Sequence, residues 1–321
     1  MSPRPDWQVR WAKPEDDSAL LQLFHEAFGH EMPIEQWRWK YAASDPSGCC
    51  VLDRDKMVAF YGGMPRGIRI AGEQACAVQI GDVMVAPGQR GVFTRRGAMF
   101  HAAAQFSEEL VGDGNKYACG YGFPSERHNR LGEHLGLYTR IGRLQEAGWE
   151  PLHRRPSLGL TLRPFQASQL NHLTPLWLEM AESLCDKVVL ERDATYIRHR
   201  FLSHPTVDYC CFLAKRCFTG TPVGLIVLRD HGTAGMELLD IIAPVGTIPL
   251  LIKMAQYLTA RLQRQRLFAW VSEAVAECVK ETQPTLTDLN LPLPIIAWGR
   301  QRDLRWTRGQ WWLIGGDTDF R

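Results

Sequence analysis

The sequence predicts a mixed α/β fold, with a largely antiparallel sheet flanked by helices, that occurs twice, in residues 1–155 and 156–321. Three observations lead to this prediction. The length of 321 residues is about that of two domains. Short motifs recur in the same order in both halves. In each half a meander of strands precedes the main helix, which is typical of an antiparallel sheet covered by helices.

The repeat is the most specific of these observations. The pattern Lys-Pro-x-x-x-Ser-x-Leu-x-x-Leu begins at Lys13, and the same pattern with Arg in place of Lys begins 150 residues later, at Arg163. Three matches in the same order favour duplication of one fold over chance. The two further matches are Cys49-Cys50 with Cys210-Cys211, and Asp82 before Ala86-Pro87 with Asp240 before Ala243-Pro244.

The elements of the first half follow from periodicity and from end signals. Alternation predicts the strands, Asp16 or Asp17 can cap the first helix, and small or apolar residues three or four apart predict the main helix. The predicted strands are 8–12, 49–53, 58–62, 66–71, 75–85 and 117–122, and the predicted helices are 16–28, 34–43, 91–111 and 125–135.

The second half repeats this order of elements. It begins with a strand at 159–163 and a helix that ends at Ala181. The rest is a helix at 194–202, strands up to Ala243, a helix at 249–263, and strands at 267–271, 294–298 and 311–315.

Composition excludes several classes of protein. A net charge of +2 is too small for a protein that works mainly on a polyanion, so we expect no nucleic-acid partner. The first residues lack the apolar core of a signal peptide, and polar or Pro residues interrupt the longest apolar stretch, 238–252, so we expect a cytoplasmic protein without a membrane segment. Nine cysteines without CxxC and ten histidines without HxxxH or HxH spacing predict free thiols and no metal.

The segment 82–91 has the residues of an anion site. It joins a long strand to a predicted helix, and a helix N-terminus offers free N–H groups and the positive end of the helix dipole. Gly88 and Gly91 permit close backbone approach, and Arg90 adds a forked donor. The segment therefore predicts a phosphate site, while turn geometry alone is the alternative explanation for Gly and Arg here.

The ordered motifs resemble those of a known family, the GNAT acyl-CoA N-acetyltransferase superfamily. The turn Val85-Ala86-Pro87-Gly88-Gln89-Arg90-Gly91 is similar to its pyrophosphate loop. Gly120-Tyr121-Gly122-Phe123-Pro124-Ser125 and Leu135-Gly136-Leu137 resemble a strand that ends in Gly-Phe-Pro-Asn and a helix that ends in Leu-Gly-Trp. The segments 37–41 and 316–320 resemble a Trp-Lys-Tyr helix and a closing motif. The resemblance spans nearly the whole chain, with a degenerate second copy.

This resemblance implies a co-substrate, a function and a site. The chain would move an acetyl group from acetyl-CoA to the amine of a small molecule. The pantetheine arm would lie between the strands that end at Val85 and Gly122. It would run along Val83, Met84 and Val85 and bond to the backbone of the first and last of these. Ser125 occupies a position where the family often has an Asn that touches the cofactor. The pyrophosphate would sit on the N–H groups of Gln89, Arg90, Gly91, Val92, Phe93 and Thr94.

The sequence departs from the family pattern at three places. After Arg90-Gly91 the loop is about two residues shorter than usual. The family's Tyr that protonates the leaving thiolate is replaced by Gly132. In the second copy, the turn 244–249 has no basic residue, so we expect that copy to be scaffold or substrate wall.

Three residues are candidates for proton transfer in such a reaction. Asp82, at the end of the long strand, is a candidate base, and the alternative is a structural partner of a neighbouring strand or helix. Tyr138 and His128, near the second cofactor strand, are candidate proton donors. Their alternatives are a packed strand aromatic and a solvent-facing imidazole.

Two other functions stay open at this point. A transferase of the same tandem fold that takes an aminoacyl group from tRNA would need a basic groove, which the near-neutral charge disfavours. A catalytically inactive relative that only binds a metabolite or partner would fit the short loop and Gly132.

Overall fold

The structure, a computed structural model, describes residues 7–90, 95–156, 159–299 and 303–321. The chain forms two compact units, each built from three chain segments. Unit 1 comprises the described residues of Met1–Gly67, Ala75–Ile141 and Pro292–Trp306, and unit 2 those of Ile68–Gln74, Gly142–Leu291 and Thr307–Arg321. That residues 1–155 and 156–321 are two copies of one domain stays a prediction.

Strands and helices are interspersed along the described parts of the chain. In the first part of the chain they are β1 (Trp7–Trp11), α1 (Asp17–Phe28), α2 (Ile34–Tyr41), β2 (Gly48–Asp53), β3 (Lys56–Ile70), β4 (Glu73–Val85), α3 (Ala98–Leu110), β5 (Cys119–Gly122), α4 (Glu126–Leu135) and β6 (Tyr138–Trp149). They continue as β7 (Leu160–Pro164), α5 (Leu173–Ser183), β8 (Val188–Leu190), α6 (Ala194–Ile197), β9 (Cys210–Arg216), β10 (Pro222–Asp230), β11 (Met236–Ile242), α7 (Ile248–Arg261), β12 (Leu267–Ser272), α8 (Glu273–Val279), β13 (Thr285–Ile296) and β14 (Trp311–Trp312).

Unit 1 is a sheet in the order β1-β2-β3-β4-β5-β13 with helices on both faces. The β1–β2, β2–β3 and β5–β13 pairs are antiparallel, and β4–β5 is parallel. Successive strand residues point to opposite faces. Phe60 of β3 accordingly packs on Trp37 of α2, with ring centroids 5.7 Å apart, and Tyr61 packs on Phe106 of α3 at 5.4 Å. Both faces of the sheet are therefore buried.

Unit 2 is a sheet in the order β6-β12-β11-β10-β9-β7. Its β11–β12 pair is parallel, and the neighbouring pairs are antiparallel. The core includes apolar side chains of α5 and α7 and of the strands between them. It also encloses a charged group: the fully buried Arg192 lies between Asp240 and Asp317, with N···O distances of 2.9 and 2.6 Å.

The predicted fold class is confirmed, since a largely antiparallel sheet flanked by helices is what the structure contains. Two bounds are corrected. The strands predicted at 58–62 and 66–71 are one strand, β3, because the extended backbone continues through Pro65 and Gly67. The helix predicted from residue 91 begins only at Ala98, after Gly97 with an extended N-cap conformation. The two elements β8 and α8 were not predicted. None of the described helices is long and apolar enough to span a membrane.

Candidate active site

The central feature of unit 1 is the point where two parallel strands part. The ladder between β4 and β5 pairs Ala77–Ile80 with Cys119–Gly122. Beyond it, β4 continues to Val85, whereas the chain leaves β5 for α4. At the last pair the strands are very close, since a Cβ on Gly122 would lie 3.1 Å from the carbonyl oxygen of Ile80. We call the region beyond this pair the β4–β5 opening.

Asp82 lies where β4 enters the opening, and its backbone has the left-handed φ of 48°. Its carboxylate is bound on both oxygens. Lys40 Nζ lies 2.9 Å from Oδ1 and 2.7 Å from Oδ2, and the Tyr41 hydroxyl donates to Oδ2 at 2.8 Å. Asp82 is thus a partner of helix α2, as in the structural alternative, and its role as a base stays a prediction. No motif spacing reveals this contact, because it joins residues about 40 positions apart.

The predicted pantetheine strand runs along the wall of the opening. Met84 is fully buried, while the Val83 side chain is 37% exposed and Val85 is half-buried. The backbone positions predicted to bind the arm, Val83 and Val85, therefore flank a residue that anchors the strand in the core. The carbonyl oxygen of Val85 accepts a hydrogen bond from Arg90 Nε at 3.1 Å.

The turn after β4 uses several of its own polar groups. The N–H groups of Gln89 and Arg90 donate within the turn, to Ala86 and Pro87. The Arg90 guanidinium bridges two carbonyl oxygens, that of Val85 and, at 2.7 Å, that of Ala27 at the end of α1. Arg90 thus fixes the turn to the end of α1, and it also places a positive charge at this turn.

Four residues of the predicted phosphate contact, Gly91, Val92, Phe93 and Thr94, lie outside the described residues. The next described segment is a turn that leads into α3 at Ala98. The helix dipole invoked for the turn of Arg90 therefore begins eight residues after that side chain.

The other wall of the opening is the start of α4. Ser125 is its N-cap, and its hydroxyl accepts from the His128 N–H at 3.4 Å and lies 3.1 Å from His128 Nδ1. The His128 side chain is exposed, as in its solvent-facing alternative. Partial desolvation lowers its pKa, and the positive charges of Arg127 and Arg90 lower it further. Because Arg90 acts on an imidazole of α4, the two walls carry basic groups that influence each other across the opening.

Tyr138 lies against α4 at Gly132, the residue that stands where the family has its proton-donating Tyr. A Cβ on Gly132 would come within 2.0 Å of Tyr138 Cδ2, so the ring occupies the space of a side chain there. Its hydroxyl donates to the Tyr61 hydroxyl at 3.0 Å. Sequence reasoning missed Tyr61, since a Tyr in an apolar strand gives no sign of a polar partner.

The structure thus brings one set of predicted residues to the opening: Val83, Val85, Arg90, Ser125 and His128, with Asp82 at its inner end. Within the described ranges, no group of three His, Cys, Asp or Glu side chains could hold a metal ion.

Comparison with known proteins fits this geometry. Residues 8–132 match the family model described as an acetyltransferase (GNAT) domain. The match runs from β1 into α4 and so includes both strands and the turn of the opening. No curated protein matches the chain.

Solved structures with a similar fold cover nearly all of the chain. A probable N-acyltransferase from Enterococcus faecalis V583, described as a conserved protein of unknown function, has a TM-score of 0.68 and 14% identity over 91% of this chain and 73% of its own. A GCN5-related N-acetyltransferase from Kribbella flavida has a TM-score of 0.65 and 14% identity over 91% and 71%. The Saccharomyces cerevisiae N-myristoyltransferase with bound myristoyl-CoA has a TM-score of 0.60 and 8% identity over 94% and 81%. At such identities the likeness shows the fold.

Proposed function

We propose that this chain, which carries a GNAT domain in residues 8–132, transfers an acyl group from acetyl-CoA to the amine of a small molecule. The observation that carries the proposal is the stretch of β4 from Gly81 to Val85 that continues past the end of β5. A strand that extends beyond the end of its neighbour presents, on that side, backbone N–H and C=O groups that need partners. The amides of an extended pantetheine arm can supply them, as an added strand would.

The basic groups at the mouth of the opening suit the phosphates of CoA. Arg90 stands on the β4 side, and the N-terminus of α4, with Arg127 in its first turn, stands on the other. Glu126 lies in the same turn, and its charge is paired with Arg130 and Arg140. Free N–H groups and the helix dipole favour an anion there. Desolvation, and after it the positive charges of Arg127 and Arg90, lowers the pKa of His128, so two cations act on the start of α4.

The acyl donor supplies an activated thioester carbon, and the chain must manage the protons around it. We assign Asp82 a structural role, because a carboxylate held by Lys40 and Tyr41 is poorly placed to take a proton from an amine. Water then takes the amine proton. Tyr138 is our proton donor for the leaving sulfur, since its half-buried ring lies on α4 beside the opening.

We propose a scaffold role for unit 2. Its parallel strands β11 and β12 pair only at Met236–Glu237 and Leu267–Phe268. The C-terminal segment lies against the remainder of these strands. Ile314 bridges to Val271, and a Cβ on Gly316 would lie 2.7 Å from the carbonyl oxygen of Leu239. A ligand arm would have to displace this segment.

Calorimetric titration with acetyl-CoA and with CoA tests the co-substrate, and mass spectrometry of an amine panel incubated with acetyl-CoA tests transfer. We expect saturable binding and a product heavier by one acetyl group. Acetyl-pantetheine, which lacks the nucleotide phosphates, is the matched probe and should bind more weakly. An absence of heat and of a thermal shift at millimolar ligand would refute the proposal.

One observation favours a second function, a protein that binds CoA or another metabolite without transfer. The N–H groups of Gln89 and Arg90 are satisfied within their own turn, which leaves fewer donors for a pyrophosphate. Binding of CoA without product from any amine of the panel would support this alternative.

A further inference from the structure

We infer that Tyr61 is a positioning residue for Tyr138 and that the two phenols together form the proton-donating device at the β4–β5 opening. The inference rests on the proposed acyl transfer and adds to it a residue that no sequence motif indicates.

The pair spans unit 1 from α4 to β3. The Tyr138 ring covers Gly132 so closely that any Cβ there would meet it at 2.0 Å. Its hydroxyl reaches the hydroxyl of Tyr61, 3.0 Å away. Tyr61 is fully buried, and its ring packs edge-on against Phe106 of α3. Packing thus fixes Tyr61, and both Tyr61 and α4 fix Tyr138.

The pair lies at the level where the opening begins. Tyr61 precedes Gly62, whose Cβ would lie 2.7 Å from the carbonyl oxygen of Gly81. Gly81 directly follows Ile80, the last β4 residue paired with β5. A group that enters the opening along β4 therefore approaches the phenol pair from the side of Tyr138, which is the less buried of the two.

The hydrogen bond between the phenols suits a proton donor. While both are neutral, Tyr138 donates to Tyr61. In the transfer step the amine nitrogen bonds to the acyl carbon, the C–S bond breaks and sulfur keeps the electron pair. The Tyr138 proton passes to sulfur, and Tyr61 turns its O–H toward the phenolate. The phenolate then recovers a proton, through water, from the nitrogen that has gained a bond.

Electrostatics around the pair supports this role. Burial raises the pKa of Tyr138 to about 12, and the hydrogen bond with Tyr61 opposes that rise. Burial and Tyr138 raise the pKa of Tyr61 well above its ordinary value. The groups packed on the rings, Gly132 from α4 and Phe106 from α3, carry no charge. Tyr138 is therefore protonated at neutral pH, and Tyr61 is its titratable neighbour.

Steady-state kinetics of Tyr61→Phe gives the first test. We expect kcat to fall about 10- to 100-fold, the range for losing a hydrogen bond to a charged group, with an unchanged KM for acetyl-CoA. Tyr138→Phe should lower kcat at least as much, and the double variant no further than Tyr138→Phe alone. Tyr117→Phe is the matched control, because it removes a buried hydroxyl that has no hydrogen-bond partner among the described residues.

A second readout does not depend on turnover. With 3-fluorotyrosine at position 138, fluorine NMR follows ionisation of that phenol directly. We expect its pKa to rise when Tyr61→Phe is added and to stay unchanged with Tyr117→Phe.

These outcomes separate the two proposals. An active protein in which Tyr61→Phe alters neither kcat nor the titration of position 138 would overturn the inference and leave the proposed function standing. An inactive wild-type protein that does not bind CoA would overturn the proposed function and the inference with it.

Discussion

Lys40 and Asp82 form a buried ion pair in which Nζ lies 2.7 Å from Oδ2 and the side chains are only 4% and 8% exposed. The pair joins helix α2 to the residue at which β4 leaves its partner strand. Asp82 has a φ of 48°, a conformation that L-residues rarely adopt inside a strand. The ion pair and the Tyr41 hydroxyl hold that conformation in place. The course of β4 along the opening therefore depends on a contact with helix α2, outside the sheet.

The first prediction concerns this pair. Asp82→Asn keeps the shape and tolerates the same φ, but it removes the negative charge that pairs with the buried Lys40 ammonium. We expect a loss of about 3–5 kcal/mol in the free energy of unfolding, measured by urea denaturation. Arg38→Ala, which removes the exposed ion pair with Asp17, is the control and should cost no more than about 1 kcal/mol. A stable Asp82→Asn protein with a large fall in kcat would restore Asp82 as the base.

This contact shows what the sequence can and cannot predict. The motif around Lys40 and Tyr41 was visible as a helix, and Asp82 as the end of a strand, because both follow from local pattern. Their contact joins side chains about 40 positions apart, and neither periodicity nor capping rules carry that information. The sequence therefore shows the candidate base and the helix of its partner, but not the contact between them.

The second prediction concerns Arg90, whose guanidinium bridges the carbonyl oxygens of Val85 and Ala27. Arg90→Ala should raise the Kd for CoA about 10- to 100-fold, as expected for losing a charged hydrogen bond and a fixed turn. Arg90→Lys keeps the charge but lacks the planar fork whose separate nitrogens reach the two carbonyl oxygens, so it should recover only part of the affinity in calorimetry. Full recovery with Lys would show that charge alone matters and that the bridge does not.

The third prediction uses the sign of a stability change. An Ala in place of a helical Gly usually stabilises a protein by about 0.5–1 kcal/mol. At Gly132 the new Cβ would meet Tyr138 Cδ2 at 2.0 Å, and such overpacking costs about 1–3 kcal/mol. Gly132→Ala should therefore lower the melting temperature and kcat together, because the Tyr138 ring has to move. Gly246→Ala is the control, since its Cβ would meet open space. A Gly132→Ala protein more stable than wild type would contradict the packing.

Helix ends were the weakest part of the sequence-based fold. Small and apolar residues continue the helical spacing back to Phe93, but α3 begins at Ala98, after Gly97. Spacing records which residues can share a face and does not record where the backbone becomes helical. The short helix α8 went unpredicted for a related reason, because its seven residues span too few turns to show a period.

The last prediction concerns pH and unit 2. His204 Nδ1 accepts the N–H groups of Thr206 and Val207 at 3.3 and 3.1 Å, which only a neutral ring nitrogen can do. Burial, aided by the positive charge of Arg200, lowers the pKa of His204 to about 4. Between this value and the ordinary value of about 6.5, the unfolded chain binds a proton that the folded chain does not. The free energy of unfolding should therefore fall as the pH drops from about 6.5 to about 4. Below about pH 4 His204 is protonated in both states and causes no further loss.

Urea denaturation of wild type and of His204→Asn across this pH range measures the effect. The Asn side chain can accept the same N–H groups without titrating, so the variant should lose about 2 kcal/mol less than wild type between pH 7 and pH 4. This figure is smaller than the full shift would give, because His204 is only partly buried. The exposed His153→Asn controls for a general effect of removing a histidine. Equal losses in both variants would show that His204 does not couple folding to pH.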